Sequence, residues 1–442
     1  MPRPSEGQPP STKAGRRSRG RSRPSTGPLL HLSCLLGSPV RGPDGHQAGK
    51  LTDVIARLAA GDHPEVSGLV VSANGRERFV HAHDVAGLSN DGADLAVAPA
   101  ELGFFERRPG EVLLARDVRS RHLIHVERAR LVRANEIELA NVEGTWRVFG
   151  VDPTSKALLR KLLPHRLRRR VRPGRVVDWA DLEPFVAHVP AARLQIRFRR
   201  LRRMHPAKLA DLVEAASHDE GEEIMRAVGA DAELEADVFE ELDVDHQVEF
   251  LKERSDEEAA KLLAKMAPDD AVDLLTELDQ ERRVPILQQL PQATQSKLRG
   301  LLSYNPETAG GLMNPDFVSV AATSTVADAL SSVKASSAPP EAAGVVFLTD
   351  AQGSLAGTAL VVDLLRAKPD ARVTSVARPE PATLSPDSDI HEVVRTMTDY
   401  NLAVAPVVDE EGRMLGQITV DDVLELLLPQ GWRRQYGMTA PD

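Results

Sequence analysis

Apolar and polar positions follow three different rhythms along the 442 residues of this chain. From Leu29 to about residue 155 the apolar runs are short, alternate with polar residues and are broken by turn pairs. That pattern predicts β-strands at Gly68–Ser72 and Arg78–His83, joined by a hairpin at Asn74-Gly75. Further strands are expected at Val112–Val118, His122–Val126, Leu131–Val132, Glu136–Leu139 and Thr145–Val151. The two halves share an Asp-Val, a turn, a strand and an acidic corner, which predicts two small barrel-like units or one pseudo-repeated barrel.

From His205 to about Leu302 the period becomes helical. Leu, Ala, Val and Met recur in segments of about ten residues, each reopened by Pro, Ser or Asp. Helices this short cannot bury their apolar stripes alone and must stack in a superhelical array. Ser255 with Glu258 has capping-box spacing. Pro268 suits a first helical position, with Asp269 and Asp270 next to it. SYNPETAGGLM follows, and its Gly-Gly pair among polar turn residues predicts a hinge. Beyond it one plan occurs twice: helix, apolar strand, acidic turn, strand, helix. The first copy is Val326–Val333, Gly344–Leu348, Asp350–Gly353, Leu355–Ala359 and Val361–Arg366. The second is Ile390–Tyr400, Ala403–Val408, Asp409–Gly412, Leu415–Ile418 and Val420–Leu428. A βαββα-like duplication implies a pseudo-twofold module with a cleft between its halves. The fold class is therefore multidomain α+β.

Charge adds an asymmetry. The net charge is −10, yet arginines cluster at Arg16–Arg23 and across 156–204, so the acidic surplus lies beyond residue 205. The basic stretches are read as a solvated tail and a linker; binding to nucleic acid or anionic lipid is the alternative. No nucleic-acid-binding spacing accompanies them. Expected divisions are a disordered tail (1–28), a β region (29–155), a basic linker (156–204), a helical domain (205–302), a hinge (303–315), two βαββα units (316–368 and 369–430) and a C-terminal tail (431–442). A single cysteine, Cys34, suits a reducing compartment. No apolar run reaches the roughly 18 residues of a membrane span, and no signal peptide opens the chain, so a cytoplasmic location is expected. Phosphate-loop and nucleophile-elbow motifs are absent, and the expectation is that the protein is not an enzyme. His81 and His83 in HAHD would share one face of a strand, but no third ligand has zinc-site spacing, so an exposed edge pair is expected.

Particular segments carry family resemblances. GKLTDVIARL and ARLVRANEIELANVEGTWRVFGVD loosely resemble PRC-barrel domains, which implies interaction and no chemistry. NLAVAPVVDEEGRMLGQITVDDVLELL resembles a CBS motif. Residues 205–428 as a whole resemble the cytosolic part of MgtE magnesium transporters, with LLSYNPETAGGLM as the most specific match. The transporter's membrane helices have no counterpart in the sequence.

That resemblance implies regulatory Mg²⁺ held between carboxylates of the helical and CBS domains. Residue by residue it falls on Asp237 and Asp269 on the helical side and on Asp422 and Glu425 on the CBS side. His391 and Asn401 stand where related transporters carry carboxylates, so one cation position on the CBS face is weakened or lost. Each acid has a plain alternative: Asp269 as a helix-dipole partner, Asp422 as half of a capping box with Thr419, Asp237 and Glu425 as solvated charges. CBS clefts also take adenine nucleotides, which would use Thr419 and Asp422 in the second unit and Asp363 in the first, where Leu360 replaces the hydroxyl residue. The implied partners are a second copy through the CBS domains and a separately encoded membrane protein. The expected function is a Mg²⁺-sensing regulator whose acidic faces close on the ion. The alternative is a nucleotide- or nucleic-acid-responsive scaffold.

Overall fold

Asn74 and Gly75 adopt positive φ, 52° and 74°, which gives a two-residue turn the twist that a hairpin needs. They join strands Glu65–Ala73 and Arg76–His81, with Ala73 opposite Arg76. The computed structural model describes residues 29–58, 62–154, 174–184, 200–336, 338–340, 342–379 and 382–427. The expected disordered tail, most of the basic linker and the C-terminal tail lie outside them. The described residues fall into two compact units, one of residues up to 184 and the other of residues from 200 on, with 126–131 belonging to the second.

The first unit is built around a nearly closed, barrel-like sheet, and His122–His125 pairs with Leu182–Pro184 in a separate, three-stranded one. The main path of the barrel-like sheet runs Leu30–His31, Glu136–Val142, Thr145–Asp152, Glu65–Ala73, Gln47–Arg57, Pro39–Arg41, Gly92–Leu95, Val85–Ser89. Strands of both sequence halves meet where Arg147 pairs with Glu65, so one barrel forms and not two. Its core includes Leu32, Leu51, Val54, Leu69, Val112, Ile137 and Val148.

Two strand expectations are corrected here. The strand at Val112 is only Glu111–Leu113; Leu114–Val118 coils into a wide helical turn. The turn is held by Asp53, which is 0% exposed and accepts N–H bonds from Val54 (2.8 Å), Ala115 (2.8 Å) and Arg116 (3.2 Å). Buried N–H groups require such acceptors, and this one comes from the other half of the barrel. The strand at Arg78 ends at His81; Ala82–Asp84 is a 3₁₀ turn. His81 and His83 therefore do not alternate along a strand, and their rings stack with centroids 5.0 Å apart.

The second unit opens with eight short helices from Pro206–Ala215 to Gln292–Leu301. Ser255 and Glu258 form the capping box read from the sequence, and Ser217 with Glu220 forms another. Phe239 and Phe250 are the largest side chains in the interior of this array. Two CBS-like units follow. In the first, Val318–Ala321 pairs parallel with Val345–Thr349, which pairs antiparallel with Leu355–Leu360. In the second, Val404–Val408 pairs antiparallel with Met414–Thr419. Val345, Phe347 and Val404 make a shared core between them. Their acidic turns also meet: Leu355 N–H donates to Gly412 O (2.8 Å) and the Ser354 hydroxyl to Glu411 O (2.8 Å).

The expected hinge is a packed joint. Ala309 N–H donates to Ser388 O and Gly310 N–H to Pro386 O, both at 2.8 Å. A Cβ on Gly311 would sit 2.4 Å from Asn305 O, and one on Gly310 would meet the Tyr304 ring at 2.6 Å. At both glycines the absent side chain allows this close approach.

Candidate metal centre between the helical and CBS domains

Helix Pro268–Glu277 starts with proline at its first position, so its exposed N–H groups face a first turn that carries Asp269 and Asp270. The Asn314 amide donates to Asp269 Oδ1 at 3.0 Å. Asn314 is buried just past the joint, and it exchanges backbone hydrogen bonds of 2.8 and 2.9 Å with Gln417 on strand Met414–Thr419. That strand leads directly into helix Val420–Leu427, which carries Asp422. A second tether runs beside it: Lys297 of the helical domain pairs with Asp316, whose carbonyl accepts from the Gln417 amide (2.8 Å).

Asp422 is held by its own helix start. Thr419 N–H (2.9 Å) and the Thr419 hydroxyl (2.7 Å) both donate to Asp422 Oδ2. Asp422 thus makes its half of a capping box, and the hydroxyl considered for a nucleotide phosphate donates its proton inside the protein.

The electrostatics set this place apart. Burial, and after it the Asp422 carboxylate, raise the Asp269 carboxyl from 3.8 to about 7; Asp273, one turn on, adds to this, and N–H groups at the helix start pull the other way. The charges of Asp269 and Asp422, which come from two domains, interact, and ionising both is unfavourable.

The remaining candidates lie elsewhere. Asp237 is exposed on helix Ala232–Glu240 and acts as a like charge on Glu240. Burial raises Glu240 from 4.5 to about 7, although it accepts the N–H of Ala267, the residue before Pro268. The backbone of Glu425 lies in helix Val420–Leu427, and its side chain lies outside the described residues. Asp363 pairs with Arg366 at 3.7 Å. Asn401 has φ 51°, just after the end of helix Ile390–Asp399, a backbone conformation that favours asparagine over a longer acid.

Sequence reasoning missed Asp273, Glu240 and Asn314. Asp273 could have been found, since it stands four residues after Asp269 on one helix face. Nothing local marks Asn314 or Glu240, because their partners are 45 and 27 residues away.

The second unit is thus a stacked array of short helices tied through buried amides to a pair of βαββα units, a regulatory architecture related to magnesium transport. Residues 204–307 match the family model of the MgtE intracellular N domain and residues 373–429 that of the CBS domain. Among curated proteins the chain is 36% identical over 149 residues to the magnesium transporter MgtE of Thermus thermophilus, covering 34% of this chain and 33% of that one. It is 30% identical over 146 residues to the MgtE of Enterococcus faecalis, covering 33% and 32%. The chain thus spans about a third of the length of these relatives. Among solved structures it is similar to the cytosolic domain of the Mg²⁺ channel MgtE in complex with ATP, at 29% identity, covering 52% of this chain and 93% of that one, with a TM-score of 0.48. Among the described residues no helix is long and apolar enough to cross a membrane.

Proposed function

We propose that the chain is a Mg²⁺-sensing regulatory protein and not an enzyme, in which a hydrated Mg²⁺ binds between Asp269 and Asp422 and holds the helical domain on the CBS pair. The observation that carries this reading is the raised Asp269 carboxyl facing Asp422 across two domains. Mg²⁺ is a hard cation that keeps most of its waters and needs only one or two carboxylates. An ion there relieves the repulsion, and the closed arrangement gains whatever free energy the ion prefers it by. The Asp237–Glu240 region, joined to the Asp269 helix through Ala267, is a second acidic patch that loosely held cations would screen, and Glu425 remains a candidate ligand.

The output passes to a partner in the cytoplasm, with a membrane protein as the candidate, since the curated relatives are magnesium transporters. Homodimerisation through the CBS pair belongs to the same proposal, because large apolar side chains stay exposed on its helices: Leu365 (68%), Leu424 (53%) and Leu427 (57%). A second copy would cover them. Adenine nucleotide is a lesser candidate ligand, since Thr419 and Asp422 already bond to each other and Asp363 to Arg366.

The test is thermal melting and limited proteolysis of the full chain as MgCl₂ is raised into the millimolar range. Protection of residues 200–427 should rise with Mg²⁺ in the parent. Asp269→Asn, which keeps an oxygen for the Asn314 amide, should abolish the response without unfolding the protein. A response unchanged in Asp269→Asn and in Asp422→Asn would overturn the proposal.

A further inference from the structure

Within the helical domain a different trio of side chains converges. Glu214 lies in the last turn of helix Pro206–Ala215, Asp243 is the residue before helix Val244–Lys252, and His246 lies in that helix's first turn. Each offers one ligand atom, and these atoms all lie within 4.8 Å of one another. Atoms bound to a single ion at 2.0–2.2 Å are at most about 4.4 Å apart, so a small closing movement suffices.

Three observations separate this trio from a casual acidic cluster. First, Glu214 is fixed across the gap between helices: its Oε1 accepts the Asp243 N–H at 2.7 Å. Second, Asp243 stands where an aspartate usually caps its own helix, yet its side chain makes no capping bond; the His246 N–H goes to the Asp243 carbonyl instead (2.9 Å). Third, His246 Nδ1 is buried with no hydrogen-bond partner among the described residues. A buried ring nitrogen without a partner is costly, and a ligand at that place is one way to satisfy it.

We propose that Glu214, Asp243 and His246 form a divalent transition-metal site that clasps helix Pro206–Ala215 to helix Val244–Lys252. One imidazole with two carboxylates is a mixed nitrogen–oxygen set. It favours a borderline ion such as Zn²⁺ or Co²⁺ over Mg²⁺, which selects oxygen. Water completes the coordination shell. The site binds the folded array and not the open chain, so metal raises its stability by mass action. It is separate from the Asp269–Asp422 pair in residues, helices and ligand chemistry.

The experiment uses the full chain stripped with a chelator, with Co²⁺ as spectroscopic probe and Zn²⁺ in competition with a fluorescent indicator. The expected result is a visible Co²⁺ band that Zn²⁺ displaces and excess Mg²⁺ does not, together with a Zn²⁺-dependent rise in melting temperature. His246→Ala and Glu214→Gln, checked for a parent-like melt in chelator, should each weaken Zn²⁺ binding at least about tenfold. Should His246→Ala fail to fold, Glu214→Gln, which keeps an oxygen for the Asp243 N–H, carries the comparison. No Co²⁺ or Zn²⁺ binding to the parent, or equal binding to the parent and to every folded variant, overturns the proposal.

Discussion

Asp269 and Asp53 are both acids among buried neighbours, and they do opposite work. Burial raises Asp53 from 3.8 to about 6, against the pull of the N–H groups of Ala115, Val54 and Arg116 and of the Arg116 charge. Asp53→Ala leaves those amides without an acceptor and should destabilise the barrel by about 3 kcal/mol, read from chemical denaturation. Asp269 accepts the Asn314 amide and N–H groups of its own helix start, yet burial and the like charge of Asp422 outweigh them, so its shift expresses tension. Its pKa in the folded protein lies above the ordinary value, so the folded state holds the proton more tightly than the unfolded chain does. Without metal, its contribution to stability is therefore lost as pH rises from about 4 through about 7. Mg²⁺ requires the ionised form, so its stabilising effect should grow over the upper part of that range. Melting curves with and without Mg²⁺ at pH values below and above 7 should diverge as pH rises. In Asp269→Asn the two curves should coincide, and the metal-free protein should be more stable at high pH by about 1–3 kcal/mol.

At the scale of elements, the segment Thr308–Met313, expected as a hinge, is closely packed in this structure. Gly-Gly among Asn, Pro and Thr has the composition of a flexible joint. Here the glycines let helix Ala309–Leu312 lie against Asn305 and Tyr304 and hydrogen-bond to Pro386 and Ser388 of the second CBS unit. Gly311→Ala would press a methyl group on a backbone carbonyl that cannot move aside. It should cost about 1–3 kcal/mol and increase hydrogen exchange at Ala309 and Gly310, whose amides hold the joint. A true hinge would tolerate the alanine. The strand expected at Val112–Val118 failed for a related reason: the acceptor that coils Leu114–Val118 sits 62 residues earlier, at Asp53.

At the scale of the molecule, the described residues form two units, each with its own apolar interior. Units with separate cores unfold separately unless an interface couples them. Calorimetry of the full chain should show two transitions, and Mg²⁺ should raise only the one that belongs to residues 200–427. A single transition moved as a whole by Mg²⁺ would mean that the barrel and the sensor are coupled. The exposed leucines of the CBS helices belong to this scale too, because a second copy covers them only if each chain is already folded.

Local rules were enough for much of this architecture. Helical period with Ser255–Glu258 and Pro268, the Asn74-Gly75 turn and the repeated βαββα pattern are properties of neighbouring residues, and the backbone follows them. Asp269 and Asp422 could be singled out by resemblance, but two isolated carboxylates in a sequence carry no pKa shift. Only the folded chain decided that Asn314 reaches Asp269, that Asp422 opposes it, that Glu240 holds Ala267, and that Glu214 meets His246. Desolvation and Coulomb repulsion depend on distances between residues far apart in the chain, and those distances exist only once the helices have packed.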